Sequence, residues 1–351
     1  MSPDEKEAWA TAVEGIDELG MLPSVEPVCE TIAVIDQESS FRENPVVPNL
    51  AKIVEDGLAR YTARLGPLGP PVVTKVLGAK APGATLTFAE RLERARTERD
   101  VDRVFRDLVT YYEDRYPRTT KVADLVTDAV MDRHLSDFNP ITTAGSMQVS
   151  VHFALARASA HEDVDEGAVR EELYTRNGGV RFGTARLLGY EAAYDAPLYR
   201  FADYNAGIYA SRNAAVQEQL SELTGMKLAL DGDLLVYDAD GTPSKKDSQT
   251  LAAFLAFAKR HAPDLDERRI RKDLLLEKTI DFESTETYRA LRKVYRALTG
   301  KVPAYARVPD VDLESPKLTR RLTTAWFARS VARRYEDCVS RAPRPQRSTP
   351  D

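Results

Sequence analysis

Glu38 and Ser39 stand at the end of an apolar run, Ala33-Val34-Ile35-Asp36-Gln37-Glu38-Ser39-Ser40-Phe41. Val28, Ile32 and Ile35 recur at i, i+4 and i+7, one stripe of a helix. Glu38 falls three residues after Ile35 and continues that stripe. A carboxyl carried into an apolar groove has its charged form disfavoured and holds its proton more tightly. A general acid working near neutral pH needs that property. The competing reading is a solvated helix-end carboxylate, since glutamate is seldom buried. Asp36, two residues away, points to another side of the helix.

Two more motifs follow, Gly145-Ser146-Met147-Gln148 and Tyr204-Asn205-Ala206-Gly207. Met147, Val149, Val151, Phe153 and Leu155 alternate with more polar residues, which predicts a strand. Its other face, Gln148, Ser150 and His152, would line a cleft. Asp203 beside Tyr204, and Asp132 and Asp137 further upstream, are candidates for a second carboxylate.

In their order, E-S-x-F, G-x-M-Q and Y-N-A-G, these motifs resemble those of the lysozyme-like lytic transglycosylases that cleave peptidoglycan. Ser146 stands where that family usually has leucine. A looser match, Asn177 to Gly183 and Leu187-Leu188, resembles a further helix of the same family. The overall layout also resembles an uncharacterised group of Gram-negative envelope lipoproteins that carry a domain of unknown function.

The resemblance implies a mainly α fold: a lysozyme-like core with a small β element, a large helical insertion and a helical C-terminal extension. It implies a reaction with one carboxyl group where most glycosidases use two. Glu38 would protonate the glycosidic oxygen between MurNAc and GlcNAc. As the anion it would take the proton of the MurNAc 6-hydroxyl, which attacks C1 and closes a 1,6-anhydro ring. Ser39 would orient substrate, and Met147 and Gln148 would line the sugar cleft. Tyr204 would donate to the Glu38 carboxylate or a sugar, Asn205 would hold its turn, and Gly207 would admit close backbone approach. Packing alternatives stand beside these roles: Met147 as core, Gln148 as a satisfied wall amide, Tyr204 as a core-edge tyrosine. The expected partner is the peptidoglycan glycan strand, with no cofactor and no metal. The alternatives are a non-catalytic envelope protein that binds glycan or a partner, and a muramidase that hydrolyses the same bond.

The elements that must position these residues read as follows. Residues 1–24 form an N-terminal helical segment, and residues 25–50 and 140–223 form the core. Residues 51–139 form the insertion, residues 224–342 a hairpin plus helical extension, and residues 343–351 a disordered tail. Thr87-Phe88-Ala89-Glu90 has capping-box spacing and predicts one long helix to about Tyr116. Gly66 to Pro71 reads as a rigid loop. A helix over 198–223 carries the third motif. Asp231-Gly232-Asp233 predicts a hairpin between Lys227–Leu230 and Leu234–Tyr237. The extension would brace the core or contact an envelope protein.

The 351 residues carry 49 Lys and Arg against 55 Asp and Glu, a net charge of −6, which argues against a nucleic-acid surface. No apolar run is long enough to span a membrane, and no secretory leader is visible. The substrate class implies the periplasm or cell envelope, with membrane attachment only through a lipid anchor outside this chain. Cys29 and Cys338 could pair in an oxidising compartment or remain buried thiols.

Overall fold

A computed structural model describes residues 2–64, 69–115, 139–159, 164–238, 241–313 and 322–342. The protein is mainly helical and divides into two compact units, Met1–Thr11 with Glu38–Gly183 and Ala12–Gln37 with Thr184–Asp351. Helix α2 (Val25–Ser39) crosses the division between Gln37 and Glu38, and the helix of the looser match crosses it between Gly183 and Thr184. Helix α1 (Pro3–Asp17) crosses it as well.

The first unit continues with α3 (Leu50–Arg64), α4 (Gly69–Leu77), α5 (Phe88–Arg94) and α6 (Glu98–Arg115). A small antiparallel hairpin follows, β1 (Thr143–Ala144) and β2 (Val149–Ser150), with Thr143 opposite Ser150. Then come α7 (Val151–Ser159), α8 (Glu166–Leu173) and α9 (Arg176–Leu188). Three expectations are corrected here. The long strand stops at Ser150, and the chain turns helical at Val151, whose Val151 and Ala154 are buried at helical spacing. His152 is exposed. The Thr87–Glu90 capping box is present, but its helix ends at Arg94. Ala95 is extended, and Thr97 with Asp100 builds a second reciprocal cap, Asp100 N–H to Thr97 Oγ1 at 3.2 Å and Thr97 N–H to Asp100 Oδ2 at 2.9 Å. Pro70 and Pro71 lie in the first turn of α4, where a missing N–H breaks no helical bond, so they are not loop. Residues 116–138 and the 343–351 tail lie outside the described residues, and with them Asp132 and Asp137.

The second unit holds α10 (Pro197–Ala206), α11 (Ala210–Thr224), α12 (Gln249–His261), α13 (Glu267–Leu274), a 3-10 turn (Ile280–Ser284) and α14 (Glu286–Thr299). A second hairpin, β3 (Asp312–Leu313) with β4 (Leu322–Thr323), leads into α15 (Thr324–Arg341). Leu220, Phe254, Phe257, Ile270, Leu274, Phe282 and Leu291 are fully buried and form one core. Burying each contributes about 1.5–3 kcal/mol. The predicted helix over 198–223 is two helices, broken at Gly207. The hairpin around Asp231-Gly232-Asp233 is absent. Its backbone donors go to side chains instead: Gly232 N–H to Gln217 Oε1 (3.0 Å), and Leu234 and Leu235 N–H to the buried Glu277 carboxyl (2.5 and 3.2 Å). A strand ladder would have consumed the same groups.

Candidate functional site

Helix α2 buries Val28 and Ile35, while Ile32 and Glu38 on the same stripe are half-buried. Glu38 therefore ends the helix at the edge of packed surface, and Ser39 beside it is buried. The chain leaves α2 through two left-handed residues, Ser40 (φ 49°) and Phe41 (φ 66°). A bulky aromatic in that region is a strained outlier. The segment beyond is held to the α5–α6 joint by Asn44 Nδ2 to Thr97 Oγ1 (3.1 Å) and Val47 N–H to the Arg96 carbonyl (2.9 Å). Asp36 is spent on an ion pair with Arg334 at 2.8 Å.

Gly145 to Gln148 form the turn between β1 and β2. Met147 is fully buried. It sits on Gly183 of α9, where a Cβ would stand 2.3 Å from Met147 Sδ and 2.7 Å from Met147 Cβ. Only glycine at 183 lets the turn approach α9 this closely. Met147 is therefore a packing wedge that fixes the turn. Ser146 places its hydroxyl against Gly179 of the same helix, where a Cβ would stand 3.2 Å from it, buried and without a hydrogen-bond partner among the described residues. Gln148 is left-handed (φ 49°) and half-buried. Its Nε2 donates to Glu98 Oε2 (2.9 Å) and the Gly145 carbonyl (3.3 Å), and its Oε1 accepts from Thr143 Oγ1 (3.1 Å).

Glu98 was invisible to sequence reasoning, being one charge among many in Arg94–Arg103. It opens α6, whose next turn carries the fully buried Asp102. Asp102 accepts from Asn139 (2.7 Å), Arg170 (2.9 Å) and Arg106 (2.9 Å), and Arg170 also holds the Ile141 carbonyl (3.0 Å) just before β1. Arg103, Arg99 and Arg106 surround Glu171 and hold its carboxyl far below the usual carboxylate range. These ion pairs tie α6 to α8 and to the strand entering the turn.

Tyr204 and Asn205 lie in the second unit, at the end of α10. Tyr204 is buried, and the Arg186 guanidinium lies over its ring at 5.8 Å. Asn205 Oδ1 accepts from Thr324 Oγ1 at 2.8 Å, so its side chain reaches α15 and not its own turn. The turn is held instead by Asp203, which is nearly fully buried. It accepts from Tyr190 (3.1 Å) and Tyr194 (2.5 Å) hydroxyls and from the N–H groups of Tyr209 (3.1 Å) and Ser211 (2.6 Å). Burial pushes the Asp203 pKa up against those donors. Asp203 is thus internal and not a cleft carboxylate. Gly207 adopts φ 123° and ψ 149°, a region essentially reserved for glycine. Nothing lies within 4 Å of a Cβ built there, so its purpose is backbone conformation and not the close approach expected. Tyr209 follows in the left-handed region (φ 64°).

Among the described residues, no group of His, Cys, Asp and Glu is arranged to hold a metal ion, and no helix is long and apolar enough to cross a membrane. Cys29 and Cys338 form a disulfide within the second unit.

Comparison with known proteins finds no matching solved structure. The chain is 37% identical over 342 residues to "Uncharacterized protein YaiW" of Escherichia coli (strain K12), covering 96% of this chain and 86% of that protein. A family model described as "Protein of unknown function (DUF1615)" matches residues 2–341. With nearly its whole length matched, the chain belongs to this DUF1615 family.

Proposed function

We propose that this protein is a peptidoglycan lytic transglycosylase that uses Glu38 as its single acid and base. The observation that carries the reading is where backbone strain collects. Among the described residues, the non-glycine residues with positive φ are Ser40, Phe41, Asn49, Gln148 and Tyr209. All but Asn49 lie in or within two residues of the three motifs, and Gly207 adds a glycine-only conformation to the third. Each such residue costs about 1–3 kcal/mol and persists where the surroundings enforce it, typically at active sites. The half-buried setting of Glu38 supports an acid that is partly desolvated and still reachable by substrate. The disulfide supports an oxidising compartment, in keeping with the periplasm or cell envelope as the place of work.

Protonation of the leaving oxygen by Glu38 supplies about 10²–10⁴ in rate, and binding and distortion of the glycan supply the rest. Incubating the protein with murein sacculi and analysing the products by mass tests the reading. Anhydro-muropeptides that vanish in Glu38→Gln, with the melting temperature unchanged, are the expected result. Reducing ends would make the protein a muramidase, and no product with retained glycan binding would make it a binding protein. Turnover that survives Glu38→Gln would remove Glu38 from its role.

A further inference from the structure

The Glu98–Gln148 pair has no role in the motif resemblance. The Gly145 carbonyl can only accept, so the end of the Gln148 amide that faces it is the nitrogen. Both amide hydrogens are then used inside the protein, one by Gly145 and one by Glu98. Oε1 can accept two hydrogen bonds and, among the described residues, receives one, from Thr143. We infer that Glu98 is a positioning residue that locks the Gln148 amide, so that its carbonyl oxygen accepts from a donor on the bound glycan, a ring hydroxyl or an acetamido N–H. The inference rests on the glycan-cleaving reading above.

The geometry around Glu98 is built for this. Only 5% of Glu98 is exposed, so its carboxyl has exchanged water for protein partners. The break at Ala95 to Thr97 starts a new helix at Glu98, and the Thr97–Asp100 cap fixes that start. A carboxylate at this first position faces the positive end of the helix dipole. One turn later Asp102 locks α6 through Arg170 to the residues entering β1. The pair is therefore held from both sides. Rotating the amide by half a turn would set its oxygen against the Gly145 carbonyl and the Glu98 carboxyl and lose both bonds. A ligand offering a donor gains a hydrogen bond at Gln148, and one offering only an acceptor meets repulsion.

The test compares Glu98→Leu, Glu98→Gln and Gln148→Glu, using murein glycan strands as the probe. Glu98→Leu is expected to raise KM about tenfold, the equivalent of one lost hydrogen bond, with a smaller change in kcat. Glu98→Gln keeps an oxygen that can accept from Nε2 and is expected to stay near wild type. The Gln148 side-chain NH2 resonances should move in Glu98→Leu and hold in Glu98→Gln. Gln148→Glu sets two carboxyls together, so its KM should improve as the pH falls and a shared proton bridges them. This variant keeps the test open if Glu98→Leu does not fold. Wild-type KM in Glu98→Leu with unmoved resonances, equal damage in Glu98→Gln, or a pH-independent Gln148→Glu would overturn the inference while leaving the enzyme reading intact. Wild-type protein that neither binds nor cleaves the strands would overturn both.

Discussion

The disulfide offers the largest single perturbation of stability. Cys29 on α2 and Cys338 on α15 are separated by 309 positions. On the same two helices Ser330 Oγ donates to Gln37 Oε1 at 2.8 Å, and Asp36 pairs with Arg334 at 2.8 Å. As the α2 number rises its α15 partner's number falls, so the helices run antiparallel and are pinned along their length. Removing both thiols leaves the two polar links in place, and the folded packing should change little. The cost falls on the unfolded chain, which gains the freedom of an opened loop. In the chain-entropy model a loop of this length corresponds to about 5–6 kcal/mol, and measured losses on removing native disulfides run at about 2–5 kcal/mol. At about 2–4 °C per kcal/mol for a unit of this size, the measured losses imply that the double variant Cys29→Ser/Cys338→Ser should melt about 4–20 °C lower. The assay is thermal unfolding of oxidised wild type against the double variant, with alkylation of the denatured, unreduced protein to count free thiols. A variant melting within about 2 °C of wild type, or two alkylated thiols in wild type, would refute the reasoning.

Glu30 on α2 has a buried oxygen without a hydrogen-bond partner among the described residues, and burial raises its pKa to about 7 against the lowering field of Arg200 and with help from Glu26. The folded state then holds a proton that the unfolded chain releases near pH 4.5, so stability falls as pH rises from about 4.5 to 7. Glu30→Gln should leave stability unchanged at pH 4 and add up to about 3 kcal/mol at pH 8, read by denaturant titration at both pH values. Gly207→Ala should cost about 1–3 kcal/mol from backbone strain alone, since the space beside it is open. An unchanged melting temperature would contradict that account. Gly183→Ala should destabilise by about 1–3 kcal/mol by driving a methyl into Met147. Ser146→Ala should be neutral or stabilise by about 1 kcal/mol, because it removes an unsatisfied buried hydroxyl. If the two changes proved equally harmful in the same unfolding assay, the packing account of the turn would fail.

What could be read from the chain alone was local. The α2 stripe, the Thr87–Glu90 capping box and the helix-forming character of most of the chain depend on residues within a turn or two of each other, and each is present. What escaped depended on partners far along the chain. Residues 231–237 carry a good hairpin pattern, yet Glu277 and Gln217 capture their N–H groups, and no turn propensity could foresee that competition. The alternation from Met147 to Leu155 fits a strand, but its second half has equal claim to a helix once Val151 and Ala154 are buried together. A short apolar run admits both periods, and tertiary burial decides.

The motif residues of each unit show the same division. Order and spacing marked Gln148 and Asn205, but each has a hydrogen-bond partner in a segment that carries no motif. Glu98 reaches Gln148 across 50 positions, and Thr324 reaches Asn205 across 119. Both partners stand at the first residue of a helix, Glu98 at α6 and Thr324 at α15. Helix starts are set by caps, Thr97 with Asp100 for one and Thr323 for the other. A one-residue shift of either start would rotate its partner by about 100° and carry it away from the motif. The capping residues thus matter to Gln148 and to Asn205 as much as the residues they aim. Losing a cap such as Thr97 costs about 1 kcal/mol of helix stability, but its larger consequence would be a Gln148 amide free to turn.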